Sequence, residues 1–480
     1  MSVPNQIEAF EMNNHFNINT ERTSDIIEEN IEEENSNDNI IFQDEKENME
    51  NDKNAKVRAF CGIKGDSELS CILNLAVSAI GGGCFNFPFI MYEGGILVSL
   101  IIFFFVTICI YYSIDLLRSF VVDTKYFSYA LMTETILGSK WLKIYAFCSF
   151  TIYTCMEVSY LSSIFLYVKN MHKLDGVLSQ VIYFIISIII EILICLYITK
   201  ISYMHSLSII SIFCFILILF SLIVVSIVAN CTNEVSNKFI FKNLFFPDLL
   251  PDTFINKLFK IASYIMIYVY GYSYHSTFPT LIGTLKNVNN TNTQKVHIIS
   301  FAIISMSYLL ISIFGFILSN EVPTEIFQEQ GDLFTGSWAT LAIPFKYCLC
   351  VFLLLIIPIR FIVLRDNYIT LFGKRRFTIL KELPIVTIFI IICNILVFSV
   401  SEFETHLKQL QIKSLVQAFG GIFGVIISFC LPVINYVSVN GKKKVKSIIG
   451  YVIMIIFSLF GILSTGHTFH QIFIGDNKKE

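Results

Sequence analysis

LSCILNLAVSAIGGGCFNFPFI, residues 69–90, is long and apolar enough to cross a bilayer, yet Gly81, Gly82 and Gly83 interrupt it and Phe87-Pro88 closes it. A second stretch repeats the design: in LFKIASYIMIYVYGYSYHSTFPTLI, 258–282, Gly271 precedes Phe278-Pro279. Each reads as a helix broken midway. Inside a membrane, unwound backbone is tolerated only where protein or a water-filled cavity satisfies its freed N–H and C=O groups. A matched pair of breaks therefore points to a buried polar site of the kind transporters use. The bland alternative is that the glycines only let helices approach one another closely.

Working outward, the rest of the chain has the composition of a membrane protein. Of its 480 residues, 55% are apolar and 15% charged, and mean hydropathy is +0.67, far from a soluble domain of this size. Eleven apolar stretches stand out: 69–90, 96–117, 144–168, 177–198, 206–229, 258–282, 298–319, 338–361, 384–401, 415–438 and 447–466. Each can cross about 30 Å of hydrocarbon at about 1.5 Å per residue. Stretches such as VIYFIISIIIEILICLYI, 181–198, are apolar all round, which argues against a soluble helical core. The sequence predicts an all-α polytopic membrane protein with eleven transmembrane helices over 67–470 and a short C-terminal tail, 471–480.

Charge orients it. Residues 1–55 hold 15 acidic against 3 basic residues, so a near-neutral chain (net charge −3) carries an acidic tail on a basic body. Tail 1–66, rich in Asn, Glu and Asp, reads as disordered and cytoplasmic. With the N-terminus inside, loops on that side hold 21 Lys or Arg and the opposite side 10. That asymmetry places the N-terminus in the cytoplasm and, with eleven spans, the C-terminus outside. No signal peptide precedes the first span, which is expected to direct insertion. Most of the 13 cysteines fall within spans as small apolar residues, and no CxxC or Cys-His cluster suggests a metal or cofactor. Asn230-Cys231-Thr232 is a glycosylation pattern on the expected outer side. Nothing points to nucleic acid; the expected partners are the bilayer, a small-molecule substrate and protons.

The motifs, taken in order, resemble the amino acid/auxin permease family. Asn74-Leu75 opening onto Gly81, Gly82 and Gly83, with Pro88 and Gly94-Gly95, is similar to that family's first-helix pattern. Tyr268 through Pro279, with His275 four positions before the proline, is similar to its sixth. Pro358-Ile359-Arg360 at the end of the eighth stretch, and Phe419-Gly420-Gly421 with Leu431-Pro432 in the tenth, are weaker echoes. The resemblance covers residues 67–466. It implies a leucine-transporter type of fold: a 5+5 inverted repeat plus one extra helix, an amino acid carrier in the plasma membrane or a vacuolar or lysosome-like membrane, and no enzyme.

The chemistry of a free amino acid suits such a pair of breaks. Half-helix N-termini present N–H groups to a carboxylate, assigned here to the backbone of Gly81, Gly82 and Gly83; unwound carbonyls around Tyr270, Gly271 and Ser273 suit the ammonium. Tyr160, matching a family aromatic, is a candidate lid or substrate-contacting hydroxyl, or an ordinary packed tyrosine. His275 invites a proton-relay reading, against the commoner use of such a residue in holding the broken helix by hydrogen bonds.

Two charges lie at similar depth in antiparallel spans: Glu157 near the middle of 144–168, and Lys346 inside the outer end of 338–361. A charge there costs at least ~2.5 kcal/mol. The expectation is a Glu157–Lys346 pair beside the site with Glu157 as proton carrier. Its alternatives are a structural pair, or Lys346 reaching outward to the interface. Glu191 in 177–198 is expected to be structural. The family's sodium-coupled members have an Asn where this chain has Val77, and hydroxyls where it has Val351 to Leu355, so a hard cation lacks oxygen ligands and proton coupling or facilitated exchange is favoured. Two rivals remain: a carrier of another zwitterion or organic cation, held by the aromatics of 268–274, and a transporter-like nutrient sensor signalling through the acidic tail.

Overall fold

The first broken stretch folds as two short helices with a turn between them. The computed structural model describes residues 67–172, 177–197, 204–231, 254–318, 339–372, 387–395, 420–441 and 444–474. Helix α1, Glu68–Ala79, starts at Ser67, whose side chain accepts from the Ser70 N–H at 3.2 Å. It stops where Ile80 and Gly81 turn extended; a tight 3-10 turn, Gly82–Asn86, then leads into α2, Phe87–Gly94. Pro88 sits in the first turn of α2, where its missing N–H costs nothing. The two halves are bent 50° to one another. The second stretch does the same: α8, Phe254–Gly271, and α9, Phe278–Ile282, flank a turn, again with proline at the start of the second half.

The remaining elements are also helical: α3 Ile96–Thr124, α4 Tyr129–Leu137, α5 Ser139–His172, α6 Val177–Tyr197, α7 Met204–Cys231, α10 Asn290–Leu318 and α11 Ala339–Phe372. A helical segment at 387–395 (α12), two π-helical turns (Gly420–Gly424 and Ile426–Cys430), α13 Leu431–Asn440 and α14 Val445–Ile474 complete the described residues. Each of the eleven apolar stretches carries helix. Among the described residues, five helices are long and apolar enough to cross a membrane, or six if α1 and α2 form one broken span. The acidic tail, the rest of 384–401 and the Thr232 of the glycosylation pattern lie outside the described residues.

Large apolar side chains face outward at helical spacing. Ile101, Phe104 and Ile108 line one side of α3; Phe213, Ile216 and Phe220 one side of α7; Ile448, Val452, Ile455, Leu459 and Ile462 one side of α14. Recurrence every three or four residues puts each set on a single face. A water-soluble protein would bury such stripes, and lipid is the solvent they suit. The chain is an integral, multi-pass membrane protein.

Both broken pairs sit inside this shell. The first packs against α10 along both halves, and α8 packs against the first break, α3, the π-helical turn Gly420–Gly424 and α14. The wide π turns free carbonyls that side chains recover: the Tyr129 hydroxyl donates to Ile427 O at 2.9 Å, and the Ser113 hydroxyl to Ser428 O. Gly421 and Gly461 let α14 touch this segment backbone to backbone; a Cβ on Gly421 would lie 3.2 Å from Gly461 O.

Candidate functional site

The two breaks meet. A Cβ on Gly83 would lie 3.3 Å from the Tyr270 ring and 3.5 Å from the Gly271 Cα, and one on Gly271 would collide with Phe87. Phe87 stacks obliquely on Tyr268, ring centroids 4.6 Å apart, and edge-on to Tyr308 at 5.1 Å. The Tyr308 hydroxyl from α10 ties both breaks, lying 2.6 Å from the carbonyls of Ala79 and of Gly271 and able to donate to either. Glycine is required by close approach here, since a larger residue would push one broken helix off the other.

The second break satisfies much of its own backbone. Ser273 N–H donates to Tyr270 O at 3.1 Å, Tyr274 N–H to Tyr272 O at 2.8 Å, and the Thr277 hydroxyl to Tyr274 O at 2.8 Å. Of the carbonyls of Tyr270 to Ser273, expected to receive an ammonium, those of Tyr270, Tyr272 and Ser273 each already accept one protein donor, Ser273 O from Arg360 Nη1 at 3.0 Å, and Gly271 O shares the Tyr308 hydroxyl with Ala79 O. A carbonyl has two lone pairs, so each retains room for a second donor.

One face of α5 completes the enclosure with Tyr153, Glu157 and Tyr160, spaced four and three residues apart. The Tyr160 hydroxyl fills the space a Gly81 side chain would need, so the aromatic singled out in the sequence lies against the first break. Glu157 is buried, at 2% exposure, and neither carboxylate oxygen has a hydrogen-bond partner. No hydrogen bond joins Glu157 to Lys346, the partner expected from the sequence. Lys346 is buried as well, but the cation whose field acts on Glu157 is Arg360. His275 is 1% exposed with both ring nitrogens unpartnered, beside Tyr274 at 6.0 Å between centroids. It makes none of the hydrogen bonds a purely structural histidine would be expected to make.

Arg360 was missed as a site residue. Counted with the cytoplasmic charges because the apolar run ends at 361, it lies instead inside α11, which continues twelve residues further to Phe372, about 18 Å. Its guanidinium is 1% exposed, lies 5.7 Å from the Tyr153 ring centre, and reaches to 3.3 Å from the position of a Gly81 Cβ. The family-like Pro358-Ile359-Arg360 was the local signal that this end of the stretch is special.

Glu191, expected to be structural, is hydrogen-bonded on both carboxylate oxygens. On α6, also 2% exposed, it accepts from the Ser187 hydroxyl at 2.5 Å and from Asn394 Nδ2 at 3.1 Å. Ion pairs frame the broken helices at both ends: Glu68 of α1 with Lys295 of α10 at 2.6 Å, and Glu93 of α2 with Lys260 of α8 at 3.6 Å, the latter joined by a Tyr264 hydroxyl donating to Glu93 at 3.1 Å.

Three comparisons bear on this arrangement. The family described as "Transmembrane amino acid transporter protein" matches residues 64–473. Human sodium-coupled neutral amino acid transporter 4 is 24% identical over 210 residues, 43% of this chain and 36% of that protein; its rat counterpart is 26% identical over 190 residues, 39% and 33% respectively. The match thus spans only about a third of those relatives. Among solved structures, an Eremococcus coleocola manganese transporter, bound to an aromatic bis-isothiourea substituted compound, has a TM-score of 0.57 at 11% identity, over 86% of this chain and 88% of its own. A point mutant of that transporter gives 0.56 at 12% identity, over 85% and 87%. These structures carry the fold alone. A family match running the length of the membrane region, over two broken helices that converge on one buried site, means that the chain belongs to the transmembrane amino acid transporter family and is not an enzyme.

Proposed function

We propose that the protein is a secondary active transporter of amino acids, working by alternating access around the junction of the two breaks, coupled to protons or facilitative rather than sodium-driven. The observation that carries this is the convergence of Gly83, Gly271 and Tyr308 on one buried point. Backbone is unwound there on both helices, aromatic rings exclude water, and a small zwitterion offers the charges that unwound N–H and C=O groups complement. The sodium-coupled relatives are named for neutral amino acids, which makes neutral amino acids the first substrates to try.

In this reading the backbone of Gly81, Gly82 and Gly83 receives the carboxylate, the carbonyls about Tyr270, Gly271 and Ser273 receive the ammonium, and Tyr160 covers the bound molecule. Glu157 is the coupling acid and His275 its closest rival, while Lys346 acts from outside the immediate site. Val77, buried and apolar on α1, offers sodium no oxygen. The chain crosses the membrane eleven times as a 5+5 repeat plus one helix, with the N-terminus and its acidic tail on the cytoplasmic side by the basic-residue asymmetry, in the plasma membrane or a vacuolar or lysosome-like membrane.

The test is uptake of radiolabelled L-alanine, L-leucine, L-glutamate and L-arginine by purified full-length protein in proteoliposomes, under imposed proton or sodium gradients. We expect a neutral amino acid to accumulate with an inward proton gradient and sodium replacement to change little. Absence of both accumulation and exchange for every amino acid would reject the proposal; strict sodium dependence would reject its coupling.

A further inference from the structure

We propose that the Arg360 guanidinium takes the substrate carboxylate at the first break, and so makes a free carboxylate a condition of binding. The inference rests on the amino acid transport reading and adds to it a side chain that selects the substrate.

Arg360 is a fully buried cation without a carboxylate on it. Among the described residues none of the ion pairs includes it, and Glu157, the acid whose field it feels, holds both oxygens free of hydrogen bonds. One guanidinium nitrogen, Nη1, is anchored on Ser273 O at 3.0 Å, while Nε is buried with no hydrogen-bond partner. Nη2 points at Gly81, 3.3 Å from where a side chain would begin. The anchor thus fixes the group to the second break and aims it at the first.

Leaving such a charge uncompensated is costly, because a buried ion regains its lost hydration only from a partner of opposite sign with good geometry. The planar fork of an arginine matches a carboxylate better than any other anion-binding side chain does. The backbone of Gly81 to Gly83 alone could hold any acceptor, including the carbonyl of an amide or ester. With Arg360 beside it, only an anion relieves the buried charge, and a molecule lacking the carboxylate leaves the guanidinium unpaired in a dry site. Gly81 has no side chain to stand between guanidinium and ligand, which gives that glycine a role beyond bending the helix.

The test uses full-length protein in proteoliposomes exchanging labelled L-alanine or L-leucine, with the unlabelled amino acid or its primary amide as competitor. The amide keeps size, chirality and ammonium and loses only the charge. Wild-type protein should prefer the acid over the amide by about 100-fold. In Arg360→Gln that ratio should fall below about tenfold, and Arg360→Lys, with charge but no fork, should lie between. A purely structural arginine would weaken acid and amide together and leave the ratio where it was. An unchanged ratio in both variants overturns the assignment, and so does wild-type protein that accepts the amide as readily as the acid, an arm that decides the matter even if neither variant folds. If wild-type protein exchanges no amino acid, the transport reading itself fails, and the assignment with it.

Discussion

Glu157 and Glu191 are both carboxylates on membrane-region helices, both 2% exposed, and their surroundings could hardly differ more. Glu191 on α6 is held by Ser187 and Asn394, two donors that share its charge and fix its geometry. Glu157 on α5 has none. A buried charge costs several kcal/mol unless it is paired or hydrogen-bonded. The fold meets this need at one acid and leaves it unmet at the other. In the proposed function Glu191 is assigned to the frame and proton exchange to Glu157.

The largest effect should come from crowding the side where Glu157 lies. Leu at Gly81 would displace the Tyr160 hydroxyl and the Arg360 guanidinium, and Leu at Gly83 would drive the Tyr270 ring away. Uptake should fall by about 100-fold in either variant while the protein still reaches the membrane. Near-normal uptake by both would remove the functional half of the comparison.

A smaller effect is expected on the other side. Asn394→Ala deletes one donor to Glu191 and also the bond from the same amide nitrogen to Ile390 O. It should cost about 1–3 kcal/mol of stability, read as a lower melting temperature in detergent. The ratio of proton-driven accumulation to exchange should stay as in the wild type. A changed ratio with unchanged stability would reverse the roles of the two acids.

Much of this was legible in the sequence because of what membranes forbid. Apolar runs about twenty residues long can only be helices in lipid, so the helical stretches followed from hydropathy, and the breaks from Gly81 to Gly83, Pro88, Gly271 and Pro279, residues with few other uses in such runs. Tyr160 and Glu157 were singled out by family likeness and by the cost of a charge in apolar surroundings, and the Tyr160 hydroxyl does lie against the first break. What was hidden depends on pairs distant in the chain. Asn394 meets Glu191 across 203 positions, and Tyr308, which ties the two breaks, reads as one more aromatic in an apolar span. Arg360 was misplaced for a plainer reason. A charge at the end of an apolar run looks the same whether the helix stops there or continues, and α11 continues. Lys346 was assigned to Glu157 by equal depth, but depth fixes one coordinate only, and no hydrogen bond joins the two.

The central claim, that Glu157 couples substrate movement to protons at this site, is tested most directly by Glu157→Gln, which keeps the shape and removes the titrating charge. Two rates decide it in proteoliposomes: accumulation of a labelled amino acid under an inward proton gradient, and exchange of labelled for unlabelled amino acid with no gradient. The account predicts that accumulation is lost while exchange survives at least in part. A variant that still concentrates the amino acid in response to pH would contradict it, and would move the coupling role to His275.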